Sequence, residues 1–219
     1  MHSDSPATDH PFIVGIAGAS GSGKSRFAER LKEHLVSERD AATVTVLSED
    51  AYYRDRSDLS FEQRCLINYD HPDALEHELL VEQLRKLRKG EAVEVPEYDY
   101  STHNRKSTTR WIAPCHIVLL EGILLLSDEA IRSQCDLKLF IDVPLDVCLS
   151  RRLRRDVLER GRSVESVLDQ YEQTVRPMFH AFVEPSKVTA DLVVPGGGEN
   201  DLAARVLVQF LETQIRSIS

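Results

Sequence analysis

Residues 18–25 of the 219-residue chain read GASGSGKS, which fits the pattern G-x-x-x-x-G-K-[ST]. Glycines at this spacing let the backbone curl so that several N–H groups face one phosphate. A helix that starts at the motif's end adds positive potential there. Gly18, Ala19, Ser20, Gly21, Ser22 and Gly23 therefore form the expected cradle. Lys24 would reach the outer phosphates, and the Ser25 hydroxyl is placed to bind Mg²⁺. The plain alternative is a Gly/Ser-rich turn, but such a turn has no need of Lys-Ser at its end.

Two acids complete this chemistry. The segment HIVLLEG (116–122) brings Glu121 to a strand's carboxyl end, where open α/β sheets place ligands. Beside a phosphate loop, a metal role for it outweighs that of a solvated carboxylate. Asp50, in VLSEDAYYR (46–54), follows another strand. A carboxylate there can take the proton of an attacking hydroxyl. Glu49, Asp55 and Asp58 compete on position alone, and a cap or turn role is the alternative for Asp50. No N-K-x-D guanine signature occurs, which weighs against a GTP-driven switch.

A third feature is SRRLRRDVLERGR (150–162), which carries +4 in a chain of net charge −9. Leu149, Leu153 and Val157 recur every four residues, which predicts an amphipathic helix over 145–160 with its arginines turned from the core. Pairs at i, i+4 (Arg152–Asp156, Arg155–Glu159, Asp156–Arg160) account for three arginines at most, leaving Arg151, Arg154 and Arg162. An RNA-binding helix would need interleaved aromatics and a basic surround, and has neither. A lid over transferring phosphates explains more, because guanidinium groups meet developing charge without losing a proton.

The elements that must hold these residues alternate between apolar runs and amphipathic ones, the α/β signature. Strands are expected at 11–17, 43–47, 116–122, 137–142 and 190–195. Helices are expected at 24–38 (with Phe27, Leu31 and Leu35 inward), 74–89 and 201–215, and at 163–182 with a kink at Pro177. Asp73 and Glu76 form a D-x-x-E start for the 74–89 helix, and Gly90 supplies its stop. The result is a P-loop NTPase-type α/β fold: a five-stranded parallel sheet flanked by helices. Residues 93–113 read as a small β-rich insertion, 145–162 as the arginine-rich lid, 1–11 as a loose leader, and 12–219 as a single domain.

Composition narrows the function classes. A pI near 5.4 argues against general nucleic-acid binding. No apolar run approaches the roughly 18 residues of a membrane span. The spacings of Cys65, Cys115, Cys135 and Cys148 match no zinc or redox pattern, so reduced thiols and a cytoplasmic location are expected.

Eight blocks extend these observations: GIAGASGSGKS, SEDAYYRD, NYDHPDA, PEYDYSTHNRK, LLEGILLL, RRDVLERGRS, QYEQTVRPMF and EPSKVTADLVVP. In that order, from Phe12 to Pro195, the chain resembles the uridine kinase (uridine–cytidine kinase) family in its bacterial form. Phosphoribulokinase and pantothenate kinase share the phosphate loop but not this combination. The resemblance implies transfer of the γ-phosphate of ATP or GTP to the 5′-hydroxyl of uridine or cytidine, with Mg²⁺. It matches Asp50 to the general base, which selects it among the nearby acids. Ser25 and Glu121 match the metal site, with Asp50 reaching the ion as well. Asp70 matches a ribose-holding residue, and Tyr98, Tyr100 and His103 match the pyrimidine pocket. Arg152 and Arg162 would touch the nucleoside with Gln170 assisting, while Arg155 and Arg160 face phosphates and Gly161 ends the lid. Strand parity sets His103 opposite to the two tyrosines, so a turn must intervene. The family's usual form is a homotetramer with feedback inhibition by pyrimidine triphosphates. Gly196, with Glu199 nearby, stands where the family often carries a basic residue after Pro195, which leaves the ATP-versus-GTP preference open. The competing hypotheses are another P-loop small-molecule kinase, such as a phosphoribulokinase, and a non-catalytic nucleotide-binding regulator.

Overall fold

The computed structural model describes residues 10–36 and 44–218. Of the expected leader, residues 1–9 lie outside them, as do residues 37–43 at the end of the first expected helix and the start of the second strand.

Five strands form one parallel sheet: β1 (Phe12–Gly18), β2 (Val44–Ser48), β5 (Ile117–Gly122), β6 (Leu137–Asp142) and β7 (Leu192–Pro195), in the order β2-β5-β1-β6-β7. Every residue of β5 is buried, because both faces of the sheet are covered. One face packs on a cluster that includes Ile13, Leu47, Val118, Leu120 and Phe140. The other, with Val14, Ile16, Leu119 and Leu139, packs on α1 (Lys24–Val36) and the last helix, Asp201–Ile218. Phe27, Leu31 and Leu35 point inward from α1 as their spacing predicts. A separate antiparallel pair, β3 (Val93–Asp99) and β4 (Asn104–Ile112), has a register shift between Pro96 and Tyr98.

The register decides where chemistry can occur. Ile16 and Ser48 both lie beside Glu121, and Gly18 lies beside Ile141. The carboxyl ends of β1, β2 and β5 thus converge, with the phosphate loop leaving one and the Asp50 turn (Glu49–Tyr52) leaving another. That turn is anchored by buried Tyr52, whose hydroxyl donates to Gln83 at 2.7 Å.

Three expectations need correction. The 74–89 helix starts later: after the short α2 (Phe61–Cys65), α3 spans His77–Arg88, and Pro72–Ala74 is a 3₁₀ turn. Asp73 is not its cap, and its N–H donates to His71 Nδ1 instead. The reason is tertiary: buried Leu75 is extended and bridges Tyr53, which breaks the helix before it can begin. Gly90 does end it, at φ 72°, with its N–H on the Leu87 carbonyl. The 163–182 helix begins as α6 (Val164–Gln170), but the helical run continues to Thr189 through π turns at Tyr171–Val175 and Phe179–Val183. These widened turns precede Pro177 and Pro185, which cannot donate to the preceding turn. The third correction concerns α5 (Leu145–Leu158; α4 is the short helix Glu129–Arg132). Its buried stripe is Cys148, Arg152 and Asp156, with Leu149, Leu153 and Val157 only half-buried. Both stripes repeat every four residues, so periodicity cannot tell which is deeper. Charge goes inward here because the arginine and the aspartate pair with each other.

Among the described residues, no helix is long and apolar enough to cross a membrane.

Candidate active site

The phosphate loop is held closed by its neighbours. Gly21 (φ 85°) lies so close to the Cys148 carbonyl that a side chain would collide with it. A Cβ on Gly23 (φ 92°) would stand 2.8 Å from the Gly198 N–H nitrogen. Only glycine fits at either position. Ala19 and Ser20 complete the loop, Arg152 donates to Ser20 Oγ at 2.7 Å, and α1 starts at Lys24. Ser22 is fully buried, and its hydroxyl lacks a partner among the described residues.

Lys24, Ser25, Asp50, Asp70, Tyr98, Tyr100, His103, Glu121, Arg152, Arg155, Arg160, Arg162 and Gln170 line one cleft of about 550 Å³. Ser25 Oγ donates to Glu121 Oε2 at 3.0 Å. Burial pushes the Glu121 carboxyl above its usual range, Lys24 pulls it back, and Asp50 adds to the rise. Such a site favours an incoming cation. Ser25, Glu121 and Asp50 offer only oxygen donors, which suits Mg²⁺. The described residues hold no cluster of three or more His, Cys, Asp or Glu side chains built as a metal cage. Mg²⁺ is usually held by one or two carboxylates together with substrate phosphates.

Geometry separates Asp50 from its three rivals. Glu49 is fully buried, with both oxygens occupied by His77 and the Leu124 N–H. Asp55 accepts from Ser57, and neither it nor exposed Asp58 lines the cleft. Asp50 does, and accepts from the Tyr100 hydroxyl at 2.6 Å. Asp70 is 7% exposed; burial raises its carboxyl pKa and nearby Arg152 opposes that.

The aromatic end contains more than was expected. The intervening turn is present between β3 and β4, and His103 sits in it at φ 51°. Tyr69 stacks on His103 with ring centroids 5.4 Å apart, and donates its hydroxyl to the His103 carbonyl at 3.2 Å. Tyr53 and Phe61 also line this end. Sequence reasoning missed all three, although Tyr69 stands beside Asp70 in NYDHPDA. Tyr98 and Tyr100 meet edge to face at 5.3 Å. Tyr100, however, gives its hydroxyl to Asp50 and its ring to the Arg160 guanidinium, 4.1 Å from the centroid. It therefore joins the phosphate end to the aromatic end. Burial, then the Arg162 and Arg160 charges, lower the His103 pKa, so the ring is neutral at pH 7.

The arginine segment has a centre that pairwise spacing did not reveal. Asp156 has no exposed surface, and four guanidinium groups surround it. Arg155 lies at 2.8 Å, Arg152 and Arg160 at 3.6 Å, and Arg162 at 3.7 Å. Arg155 thus pairs with Asp156 rather than with Glu159, and Arg162 is not left over. Arg152 and Arg162 also converge on the Gln170 carbonyl oxygen. Arg151 donates to the Ser22 carbonyl at 3.3 Å. Gly161, at φ 65°, turns the chain so that Arg162 comes back over the cleft. One carboxylate among four cations leaves a surplus of positive charge in the cleft that Lys24 also lines, which suits a polyphosphate. Beside the phosphate loop, Gly196 (φ 80°) opens the glycine loop, and Glu199 pairs with Arg26 at 3.2 Å.

Residues 13–203 match the model of the phosphoribulokinase/uridine kinase family. The chain belongs to that family. It is 55% identical over 195 residues to a uridine kinase of Vibrio parahaemolyticus, covering 89% of this chain and 92% of the relative. A uridine kinase of Shewanella amazonensis is 53% identical over 195 residues with the same coverage. A phosphoribulokinase from Rhodobacter spheroides superposes with a TM-score of 0.63 over 86% of this chain and 70% of its own, at 16% identity. That last likeness bears on the fold alone. It agrees with a P-loop kinase architecture of five parallel strands flanked by helices.

Proposed function

We propose that the chain transfers the γ-phosphate of ATP or GTP to the 5′-hydroxyl of uridine or cytidine. The observation that carries this is one cleft lined by Lys24, Asp50, Asp70 and His103. It joins a phosphate end, a proton acceptor, a diol partner and a base partner. The uridine kinases named above, about half identical over nearly the whole chain, support the choice of acceptor.

Each residue has a definite task. The loop from Gly18 to Ser25 wraps the donor phosphates, and Lys24 neutralises their outer charge. Asp50 accepts the 5′-hydroxyl proton. Asp70 accepts from both ribose hydroxyls, so deoxyuridine is a poor substrate. Tyr98, with Tyr69 and Phe61, packs the pyrimidine. Neutral His103 donates or accepts according to tautomer, so it serves either the uracil carbonyl or the cytosine amine. Arg152, Arg162 and Gln170 close on the nucleoside, while Arg155 and Arg160 meet charge on the transferred phosphoryl. Residues 145–162 act as the lid and 93–113 as the base-binding insertion of one domain. Ser25, Glu121 and Asp50 would hold Mg²⁺, which would supply charge neutralisation at the phosphates. The working form is a cytoplasmic homotetramer.

A sugar-phosphate kinase is the second possibility, and the aromatic end of the cleft weighs against it. A non-catalytic binder has no use for Asp50. ATP consumption measured in parallel with uridine, deoxyuridine and ribulose 5-phosphate tests all three. Fast turnover of uridine alone is expected, and turnover of the sugar phosphate without uridine would overturn the proposal.

A further inference from the structure

Behind the Asp50 turn lies a second set of ionisable groups. Glu49 Oε2 accepts from the Leu124 N–H at 2.9 Å, and Oε1 lies 2.9 Å from His77 Nε2. The other ring nitrogen, Nδ1, lies 3.1 Å from Asp128 Oδ2, while Asp128 Oδ1 caps α4 through the Ile131 N–H. An ionised carboxylate only accepts. A ring with a carboxylate on each nitrogen has to donate from both, which makes His77 an imidazolium.

This chain of contacts joins four segments. Glu49 opens the turn that carries Asp50, and His77 is the first residue of α3. Asp128 is the N-cap of α4. Gly122 follows Glu121 and is packed so closely on the Glu49 side chain that no Cβ fits there. The backbone on both sides of the cleft floor is therefore tied to one buried carboxylate. That carboxylate needs a cation, because an unpaired buried charge is strongly destabilising.

We propose that His77 is a positioning residue for phosphoryl transfer: held between Glu49 and Asp128, its imidazolium fixes the turn that aims Asp50 and locks it to the strand end carrying Glu121. This rests on Asp50 acting as the base. The ionisable groups facing the ring are Glu49, from the turn after β2, and Asp128, from the loop before α4. Burial disfavours the charged ring, but hydrogen bonding and charge from Glu49, then Asp128, outweigh it and raise its pKa above the usual value of about 6.5. The tie holds below the raised value and loosens as pH rises through it.

The test is the pH profile of kcat for wild type, His77→Gln and Asp128→Asn with ATP and uridine, with ATP binding measured separately. Wild-type turnover of uridine, and its loss in Asp50→Asn, check the underlying reaction; if either is missing, the assigned reaction or the assigned base fails, whatever His77 does. With both in place, His77→Gln lowers kcat by about 10- to 100-fold, the cost of a misplaced catalytic group. ATP affinity stays unchanged, and the alkaline decline of the wild-type kcat disappears. Asp128→Asn keeps an acceptor for the Ile131 N–H but removes one charge, moving that decline down by about one pH unit. Generally damaged packing would lower kcat without moving the decline. Unchanged kcat in His77→Gln, or a decline at the wild-type position in both variants, overturns the proposal. If His77→Gln does not fold, the position of the decline in Asp128→Asn decides alone.

Discussion

The Tyr100 hydroxyl donates to Asp50 Oδ2 at 2.6 Å, while the same ring carries the Arg160 guanidinium 4.1 Å from its centroid. One side chain thus touches the proton acceptor and the arginine segment together. Tyr100→Phe keeps the ring and removes only the hydrogen bond. A hydrogen bond to a charged group is worth about 1.5–3 kcal/mol. Steady-state kinetics should show kcat lowered about ten-fold or more, with the KM for ATP unchanged. Tyr100→Leu should lose more, because the Arg160 contact goes as well.

Asp156 predicts a larger effect. Asp156→Asn keeps the shape but leaves four guanidinium groups without their shared counter-charge. Removing one partner of a buried ion pair typically costs about 3–5 kcal/mol. Thermal unfolding should show a clearly lowered Tm, and kcat/KM for uridine should fall about 100-fold at a temperature where the variant is folded. Arg154→Ala, at an exposed position on the same helix, should leave both quantities as they are.

Asp70 should control sugar choice. Asp70→Asn should raise the KM for uridine more than that for deoxyuridine, which offers Asp70 one hydroxyl instead of two. Collapse of the uridine-to-deoxyuridine ratio is the expected result. A ratio like that of wild type would remove Asp70 from ribose recognition.

His77 also affects stability. Its folded-state pKa is raised, so its contribution is fully present below the unfolded value of about 6.5. It is lost as pH rises through the higher folded value. The Tm difference between wild type and His77→Gln should therefore be largest in mild acid and narrow in the alkaline range.

Much of this molecule was legible in the order of its residues. The phosphate-loop motif, the apolar face of α1, the apolar run of β5 and the stop at Gly90 are written in residues close together in the chain. Spacing alone therefore determined them. The resemblance named Asp50, Asp70 and His103, and all three line the cleft. Tertiary structure decided the rest. Four acids near the end of β2 look equivalent along the chain, and only packing sends Glu49 into the interior and Asp50 into the cleft. Two stripes of α5 repeat with one period, and only the surroundings make the charged stripe the deeper one. Asp156 looks like the shared acid of two ordinary helical pairs until the turn at Gly161 brings Arg162 back to it. Tyr69, Tyr98 and Tyr100 come together only once β3, β4 and the segment before α3 meet. Local conformation follows from local sequence because its forces act within a few residues. A site assembled from residues dozens apart exists only once the sheet order brings their strand ends together.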